Sequence, residues 1–268
     1  MTTAAEIAAY GRGVNDITTL ALRDVNDVLT FLGDADPITV RKSLIQLLPE
    51  IVSPYITASG DLAATWYEDL RASAVGGSYY ATSSGAVNQA RIDSLVGYGV
   101  KPLFGQSSST VLTLIGGGVQ RMIAGAGRDT ISANITKDKV RVGYSRIPRA
   151  GCCSFCGMLA SRGATYRTEA AAGGVVGRGV DASTTAGKVG GQGRGTKARG
   201  SRSIGSNDYH DNCHCVATPV FRGGDNDYIK STEAHYKGLY DAAFELNDTG
   251  AISAKETLAN WRQVNGTK

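Results

Sequence analysis

The chain lacks any long apolar run, and histidine is rare in it. No segment approaches the length of a transmembrane helix, so we expect no membrane span. The N-terminal sequence MTTAAEIAAYGRG has no basic start followed by an apolar core, and we therefore expect no secretory signal peptide. Only 3 histidines are present and residues 1–140 contain none, which argues against a catalytic centre in the first half.

Cysteine is also scarce, but the 5 cysteines are confined to two short segments. A Cys-x-x-Cys pair is followed downstream by a His-x-x-Cys-x-Cys cluster, and this combination of thiols and imidazole is typical of a tetrahedral zinc site. A two-residue spacer lets one turn direct both sulfurs at one point, and residues two apart in a strand face the same way. The candidate metal ligands are Cys153, Cys156, His210, Cys213 and Cys215.

The two halves of this candidate site are far apart in the sequence. Fifty-three residues separate Cys156 from His210, many more than in a zinc finger or ribbon. Because the entropy of loop closure grows only slowly with loop length, a metal ion can still close such a loop. We therefore predict a structural zinc ion that closes a long excursion of the chain.

Two other uses of the cysteines stay open. Five thiols allow two disulfides with one thiol left over, although the adjacent Cys152 and Cys153 would bond to each other only with strain. A redox-active Cys-Ser-Phe-Cys motif would need the strand and helix order of a thioredoxin, which the largely helical segment before it does not provide. Structural zinc is the interpretation that we prefer.

The net charge of +4 conceals an uneven distribution. Residues 141–224 carry 12 basic and 4 acidic side chains, against 11 and 13 in residues 1–140 and 5 and 7 in residues 225–268. A basic middle region is typical of contact with nucleic acid or an acidic protein surface, or is simply a solvated face. No aromatic residues lie among the basic residues from Arg178 to Arg202, so any nucleic-acid contact there would be with the backbone and independent of base sequence.

Residues 1–138 are predicted to be helical, with an antiparallel bundle as the default arrangement. Apolar residues recur at helical spacing from Ile17 to Leu32. A second helix is expected from Ile38 to Ile51, with Asp36 as its N-cap and a kink at Pro49. Further helices are expected at Asp61–Ala74, Ala86–Leu95 and Thr110–Ile135, the last with close packing, a break or a bend at the glycines 116–118.

The pattern changes at Lys139. Val140, Val142 and Tyr144 alternate with an arginine and a glycine, which predicts a strand, and a short helix is expected over Phe155–Ser161. A second strand is expected over Ala164–Arg167. An amphipathic helix over Asp225–Leu246 and a short last helix with Ile252 and Trp261 follow.

Residues 170–206 form a Gly-rich arm in the sequence. They contain eleven glycines, six basic residues and one acidic residue, so this segment cannot bury a core. The chain as a whole is predicted to have an α+β fold in three regions. These are a helical N-terminal region (1–138), a small zinc-stapled α/β region that includes the arm (139–224), and C-terminal helices (225–268).

The segments around the candidate ligands resemble those of the Mu F-like minor head proteins of tailed phages, in particular the versions in phages of actinobacteria. The resemblance covers roughly residues 141–221, and Cys152 and the long arm depart from it. The matching segments are Arg146-Ile147-Pro148-Arg149, the run CSFCGMLASRG from Cys153, the run YHDNCHC from Tyr209, and Pro219-Val220-Phe221.

The resemblance implies a minor capsid protein, present in several copies per particle and located in the virion near the portal vertex. Portal and major capsid proteins are the implied partners, and the protein would accompany the DNA at ejection or contact it inside the head. Assembly in the reducing host cytoplasm favours thiols over disulfides. The basic arm is suited to non-specific contact with packaged DNA. We expect no catalytic residues.

The competing hypothesis is a metal-dependent nuclease or other hydrolase. His210, Asp211 and His214 beside a metal could form a nuclease centre, but a hydrolytic zinc needs an open position for water. Four or more Cys and His ligands leave no such position, and the nearby acidic residues are typical turn formers. His235 is expected to be a surface or packing residue. A DNA-binding regulator is a third hypothesis, and no helix offers the basic recognition face that it requires.

Overall fold

The computed structural model describes residues 2–105, 110–149, 151–164, 213–224, 226–246 and 254–265. In these ranges the chain forms seven α-helices, one 3-10 helix and a two-stranded sheet, which confirms the α+β class. The Gly-rich arm, His210 and most of the strand expected over Ala164–Arg167 lie outside the described residues. The elements are α1 (Ala4–Leu32), α2 (Pro37–Val75), α3 (Gln89–Gly99), the 3-10 helix (Lys101–Gly105), α4 (Val111–Lys137), β1 (Val142–Ile147), α5 (Ser154–Ala160), β2 (Val216–Phe221), α6 (Asp227–Glu245) and α7 (Ala254–Asn265).

The first two helices begin at strong N-caps. Thr3 and Glu6 form a capping box at α1, in which the Thr3 hydroxyl accepts from the Glu6 N–H at 3.2 Å and the Glu6 carboxylate accepts from the Thr3 N–H at 2.7 Å. Asp36 accepts from the N–H groups of Ile38 and Thr39 at the start of α2. The N-cap predicted at Asp36 is confirmed.

The two helices expected between residues 38 and 74 are one continuous helix, α2, which runs through Pro49 and Pro54. The prediction of separate segments was wrong, because the helix continues through residues 52–60 and Pro54. Each interior proline costs about 3 kcal/mol. Leu48, Val52 and Ile56 are nevertheless buried at helical spacing across the prolines, and burying each such side chain contributes roughly 1.5–3 kcal/mol.

Helix α4 runs without a break through the three glycines at 116–118. A Cβ atom added to Gly118 would lie 2.2 Å from Cδ1 of Leu95 on α3, so the absence of a side chain lets the two helices approach closely. The close packing expected at these glycines is confirmed, and the alternative of a break is wrong.

Part of the connection between α2 and α3 is fixed against α4 by hydrogen bonds. Side chains of α4 pair with its backbone groups, as a neighbouring strand would in a sheet. The Asn134 side chain accepts a hydrogen bond from the backbone N–H of Thr82 at 3.0 Å and donates one to the Thr82 carbonyl at 2.9 Å. Thr130 accepts from the N–H of Ser84 at 2.8 Å. Both α4 side chains are fully buried, and they supply hydrogen-bond partners for the backbone of a partly exposed segment.

The sheet pairs β1 and β2 antiparallel, from Val142 opposite Phe221 to Ile147 opposite Val216. The predicted strand exists, but it begins at Val142, and its side chains do not alternate between buried and exposed. The reason is that α1, α2 and α4 contact the sheet and α5 and α6 contact β1 as well. The sheet residues share one hydrophobic core with α1, α2 and α4.

Helices α6 and α7 pack against each other and against α5. Trp261 on α7 is fully buried, and its ring lies 6.3 Å from that of Tyr236 and 6.2 Å from that of Tyr240, both on α6. The amphipathic helix predicted over Asp225–Leu246 is confirmed as α6. The C-terminal helices therefore cover the helix that carries the Cys-x-x-Cys pair.

Candidate metal centre

Three cysteines from the two sequence clusters meet in the interior. The thiol sulfurs of Cys156, Cys213 and Cys215 all lie within 4.8 Å of one another, and the three residues are 0%, 5% and 6% exposed. All five cysteines of the chain are free thiols. The structure therefore brings together three of the five predicted ligands, across the long separation in the sequence.

The antiparallel sheet explains why the two clusters meet. Because Ile147 at the end of β1 pairs with Val216 at the start of β2, the segment that follows β1 and the segment that precedes β2 lie at the same end of the sheet. The first leads into α5 with Cys156, and the second carries Cys213 and Cys215. The spacing of these two cysteines predicted that they lie within a strand. In the structure they lie just before β2, which begins at Val216.

The spacing of the sulfurs suits a metal ion. Cys156 Sγ and Cys213 Sγ are 3.6 Å apart. In a tetrahedral zinc–thiolate site with Zn–S bonds of about 2.3 Å, neighbouring sulfurs are about 3.8 Å apart, whereas a disulfide needs about 2.05 Å. The buried group thus fits a tetrahedral thiolate-binding metal without rearrangement of this pair.

Cys153 lies at the edge of the three-cysteine group. It caps the N-terminus of α5, where its sulfur accepts a hydrogen bond from the N–H of Cys156 at 3.4 Å, and it packs against the group while half-buried. The thiol of its neighbour Cys152 points to the hydroxyl of Tyr236 on α6, at 3.6 Å. Cys153 therefore contacts the three-cysteine group without belonging to it, and its role as a ligand stays a prediction.

The two histidines within the described residues occupy different surroundings. The exposed His214 has its Nδ1 atom 3.1 Å from Oδ1 of Asn15, and its ring lies 3.4 Å from the amide nitrogen of Gln120. His235 on α6 is exposed and contacts the ring of its chain neighbour Tyr236 edge-on, with 5.0 Å between centroids, as expected of a surface residue. Among the described residues, the metal-ligand group consists of thiols alone.

Hydrogen bonds within the cluster distinguish its thiols. Those from Cys156 and Cys215 lower the pKa of Cys213, and the positive charge of Arg128 lowers it further. Hydrogen bonds to Cys153 and Cys213 raise the pKa of Cys156. These hydrogen bonds favour negative charge on Cys213 over Cys156, whereas metal binding would require each ligand thiol to lose its proton.

Two buried arginines beside the cysteines were missed at the sequence level. Arg128 on α4 donates to the carbonyl oxygens of Cys213 and Cys215, and Nη1 of Arg146 on β1 lies 3.8 Å from Cys156 Sγ. Arg128 lies among the apolar residues of a predicted helix and Arg146 lies in a segment that resembles Mu F-like proteins, but neither signal placed them beside the cysteines. Neither residue matches a metal-ligand pattern.

Comparison with known proteins identifies the chain at the level of a viral protein. Residues 1–243 match the VG15 protein family, from α1 to near the end of α6. The chain therefore belongs to the VG15 protein family, which is a family of viral proteins. No curated protein and no solved structure matches the chain.

A separate search for membrane-spanning helices gave a negative result. In the described ranges, no helix combines the length and the apolar character that crossing a bilayer requires.

Proposed function

We propose that the protein is a minor capsid protein of a tailed phage, a structural component of the head near the portal. Its membership of a viral family carries the proposal, and the resemblance of the cysteine segments to Mu F-like minor head proteins gives it its specific form. The fold is compatible with a structural role because the long helices are held by two hydrophobic clusters, one of which they share with the sheet. Portal and major capsid proteins are the proposed partners.

The proposed metal is a structural zinc ion held by Cys156, Cys213 and Cys215 with a fourth ligand from Cys153 or His210. The buried, thiol-rich group supports zinc because soft thiolates select this ion over magnesium or calcium. Such an ion would tie α5 to the start of β2. It would thereby fix the two ends of the 165–212 segment, which includes the arm, at one point.

We propose a structural rather than a catalytic role for this centre. The three clustered thiols are at most 6% exposed, and a hydrolytic zinc needs a position that water can reach. His214, which the nuclease hypothesis would use, contacts Asn15 and Gln120 instead. On this proposal the purified protein does not cleave DNA, RNA or peptides in a metal-dependent way.

Two measurements test the proposal. A cryo-EM map of the intact particle should place this chain at the portal vertex, and a position outside the head would contradict it. Elemental analysis of protein purified under reducing conditions should give about one zinc per chain. A metal-free sample as stable as the zinc-loaded protein would exclude a structural zinc. The virion role would then still be tested separately by the cryo-EM map.

A further inference from the structure

Two arginines from different elements converge on the cysteine cluster. Arg128 is 5% exposed, and its Nη2 atom donates to the carbonyl oxygens of Cys213 at 2.8 Å and Cys215 at 3.2 Å. Arg146 is 1% exposed, and its Nη1 atom lies 3.8 Å from Cys156 Sγ. Each of the three clustered cysteines is thus contacted by a buried guanidinium.

Burying a guanidinium costs several kcal/mol unless negative charge lies nearby. A divalent ion with three or four thiolate ligands carries a net charge of about −1 or −2, and burying this charge is costly as well. A guanidinium placed against the thiolates offsets both costs, because it donates hydrogen bonds to sulfur and lies in a region of low dielectric constant. The burial of both arginines beside the cysteines is therefore the arrangement that an anionic metal centre favours.

We propose that Arg128 and Arg146 form an arginine clamp, which positions the cysteines and compensates the negative charge of the metal centre. This inference rests on the metal ion in the proposed function. Arg128 holds the backbone on both sides of His214, so that the thiols of Cys213 and Cys215 face the same point. Arg146 reaches the third thiol, on α5, and contributes mainly its charge.

The stacking surroundings of Arg146 support this division of roles. Its guanidinium carbon lies 5.8 Å from the centre of the Phe155 ring, and Phe155 precedes Cys156 on α5. The ring and the strand fix the guanidinium beside the sulfur rather than in solvent. Arg128, by contrast, makes two directed hydrogen bonds to carbonyl oxygens from its Nη2 atom, which lies one bond beyond the position that a lysine Nζ would reach.

The test compares zinc affinity in the full chain, measured under reducing conditions by competition with a chromophoric chelator. Arg146→Met removes the charge but keeps most of the length, and it should weaken zinc binding by about 10- to 100-fold, the usual effect of losing a group that supports metal ligands. Arg146→Lys keeps the charge and should recover most of the affinity. Arg128→Met and Arg128→Lys should both weaken binding, because both lose a carbonyl contact.

Arg71→Met is the matched control, since it breaks the buried ion pair of Arg71 with Asp138 (2.9 Å) but leaves the cysteines untouched. It should lower the melting temperature and leave the zinc affinity within about threefold of the wild type. Wild-type affinity in Arg146→Met, or an equal loss in Arg71→Met, would overturn the clamp while the zinc site stands. A wild-type protein that binds no zinc would overturn both. If Arg146→Met does not fold, a tenfold loss of affinity in Arg146→Lys contradicts the charge role.

Discussion

Gly157 on α5 lies directly against Trp261 on α7. A Cβ atom added to Gly157 would be 2.6 Å from Cζ2 of the indole, closer than carbon atoms approach in folded proteins. Trp261 is fully buried, and α7 lies beyond the residues that match the viral family. The last helix is therefore docked on the metal-bearing helix at a position where only glycine fits.

Gly157→Ala should destabilise the protein by about 1–3 kcal/mol, because the added methyl group forces the indole and α7 to move. Urea unfolding followed by tryptophan fluorescence measures this loss. The matched control is Gly238→Ala on α6, where an added Cβ meets nothing within 4 Å. This variant should be more stable by about 0.5–1 kcal/mol, since alanine favours a helix over glycine. Equal effects of the two variants would contradict the docking of α7.

Asn134→Leu should destabilise the protein by about 2–4 kcal/mol, because it leaves the backbone N–H and carbonyl of Thr82 without their buried partner. Thermal unfolding followed by circular dichroism measures the change. Thr136→Ala on the same helix is the control, and it should shift stability by less than about 0.5 kcal/mol because the side chain is exposed. A neutral Asn134→Leu variant would show that the segment before α3 is not held in this way.

Asp138→Ala should cost about 3–5 kcal/mol, since it leaves the mostly buried guanidinium of Arg71 without its carboxylate and removes the acceptor of the Tyr67 hydroxyl. Chemical denaturation gives the free energy of unfolding. The exposed pair of Lys237 and Asp241 provides the control, and Asp241→Ala should cost less than about 1 kcal/mol. A loss of that small size in Asp138→Ala would mean that the buried pair is screened by solvent.

The sequence predicted the elements well where local chemistry determines them. Asp36 caps α2 as expected, because an aspartate just before a helix accepts hydrogen bonds from the free N–H groups of the first turn. The joining of the two predicted helices through residues 52–60 and Pro54 was missed, since the burial of Val52 and Ile56 depends on partners far away in the chain. Tertiary packing overrode a local preference there.

At the candidate metal centre, too, local chemistry was predictable and tertiary packing was not. Cysteine spacing identified Cys156, Cys213 and Cys215, because the type and the separation of ligand residues can be read directly from the sequence. Arg128 and Arg146 were not identified, since their contacts with the cysteines depend on how α4 and the sheet pack. The spacing also could not rank Cys153 against His210, because both offer a suitable ligand atom.

Serine substitutions can rank the ligands. Cys153→Ser and Cys156→Ser should each lower the zinc content, whereas Cys152→Ser should leave it unchanged, because the Cys152 thiol faces Tyr236. Adjacent buried cations favour an anionic thiolate over a neutral imidazole, which supports Cys153 as the fourth ligand. The intensity of the thiolate-to-cobalt band in cobalt-loaded protein counts the thiolates. Equal loss in all three variants would mean that Cys152 also binds the metal.

The last prediction concerns the Gly-rich arm, residues 170–206, and rests on its sequence. A glycine-rich backbone adapts to an irregular anionic surface but loses conformational entropy when it becomes ordered, so its contact should be weak and sensitive to salt. Deleting the arm should leave the zinc content intact and reduce incorporation into heads or association with DNA. Normal particles with normal infectivity would show that the segment is only a spacer.

A charge-neutral arm separates the role of charge from that of length. If the arm binds DNA, six phosphate contacts at most give a slope of about −5 for log affinity against log salt concentration. Replacing the six basic residues of the arm by glutamine should reduce this slope. If the arm instead contacts portal or capsid protein through fixed interactions, the wild-type protein should already show a weaker dependence of affinity on salt. An unchanged slope in the variant would exclude the arm as the DNA contact and would direct the search to the other basic residues of the 141–224 region. The six positions to replace by glutamine are Arg178, Lys188, Arg194, Lys197, Arg199 and Arg202.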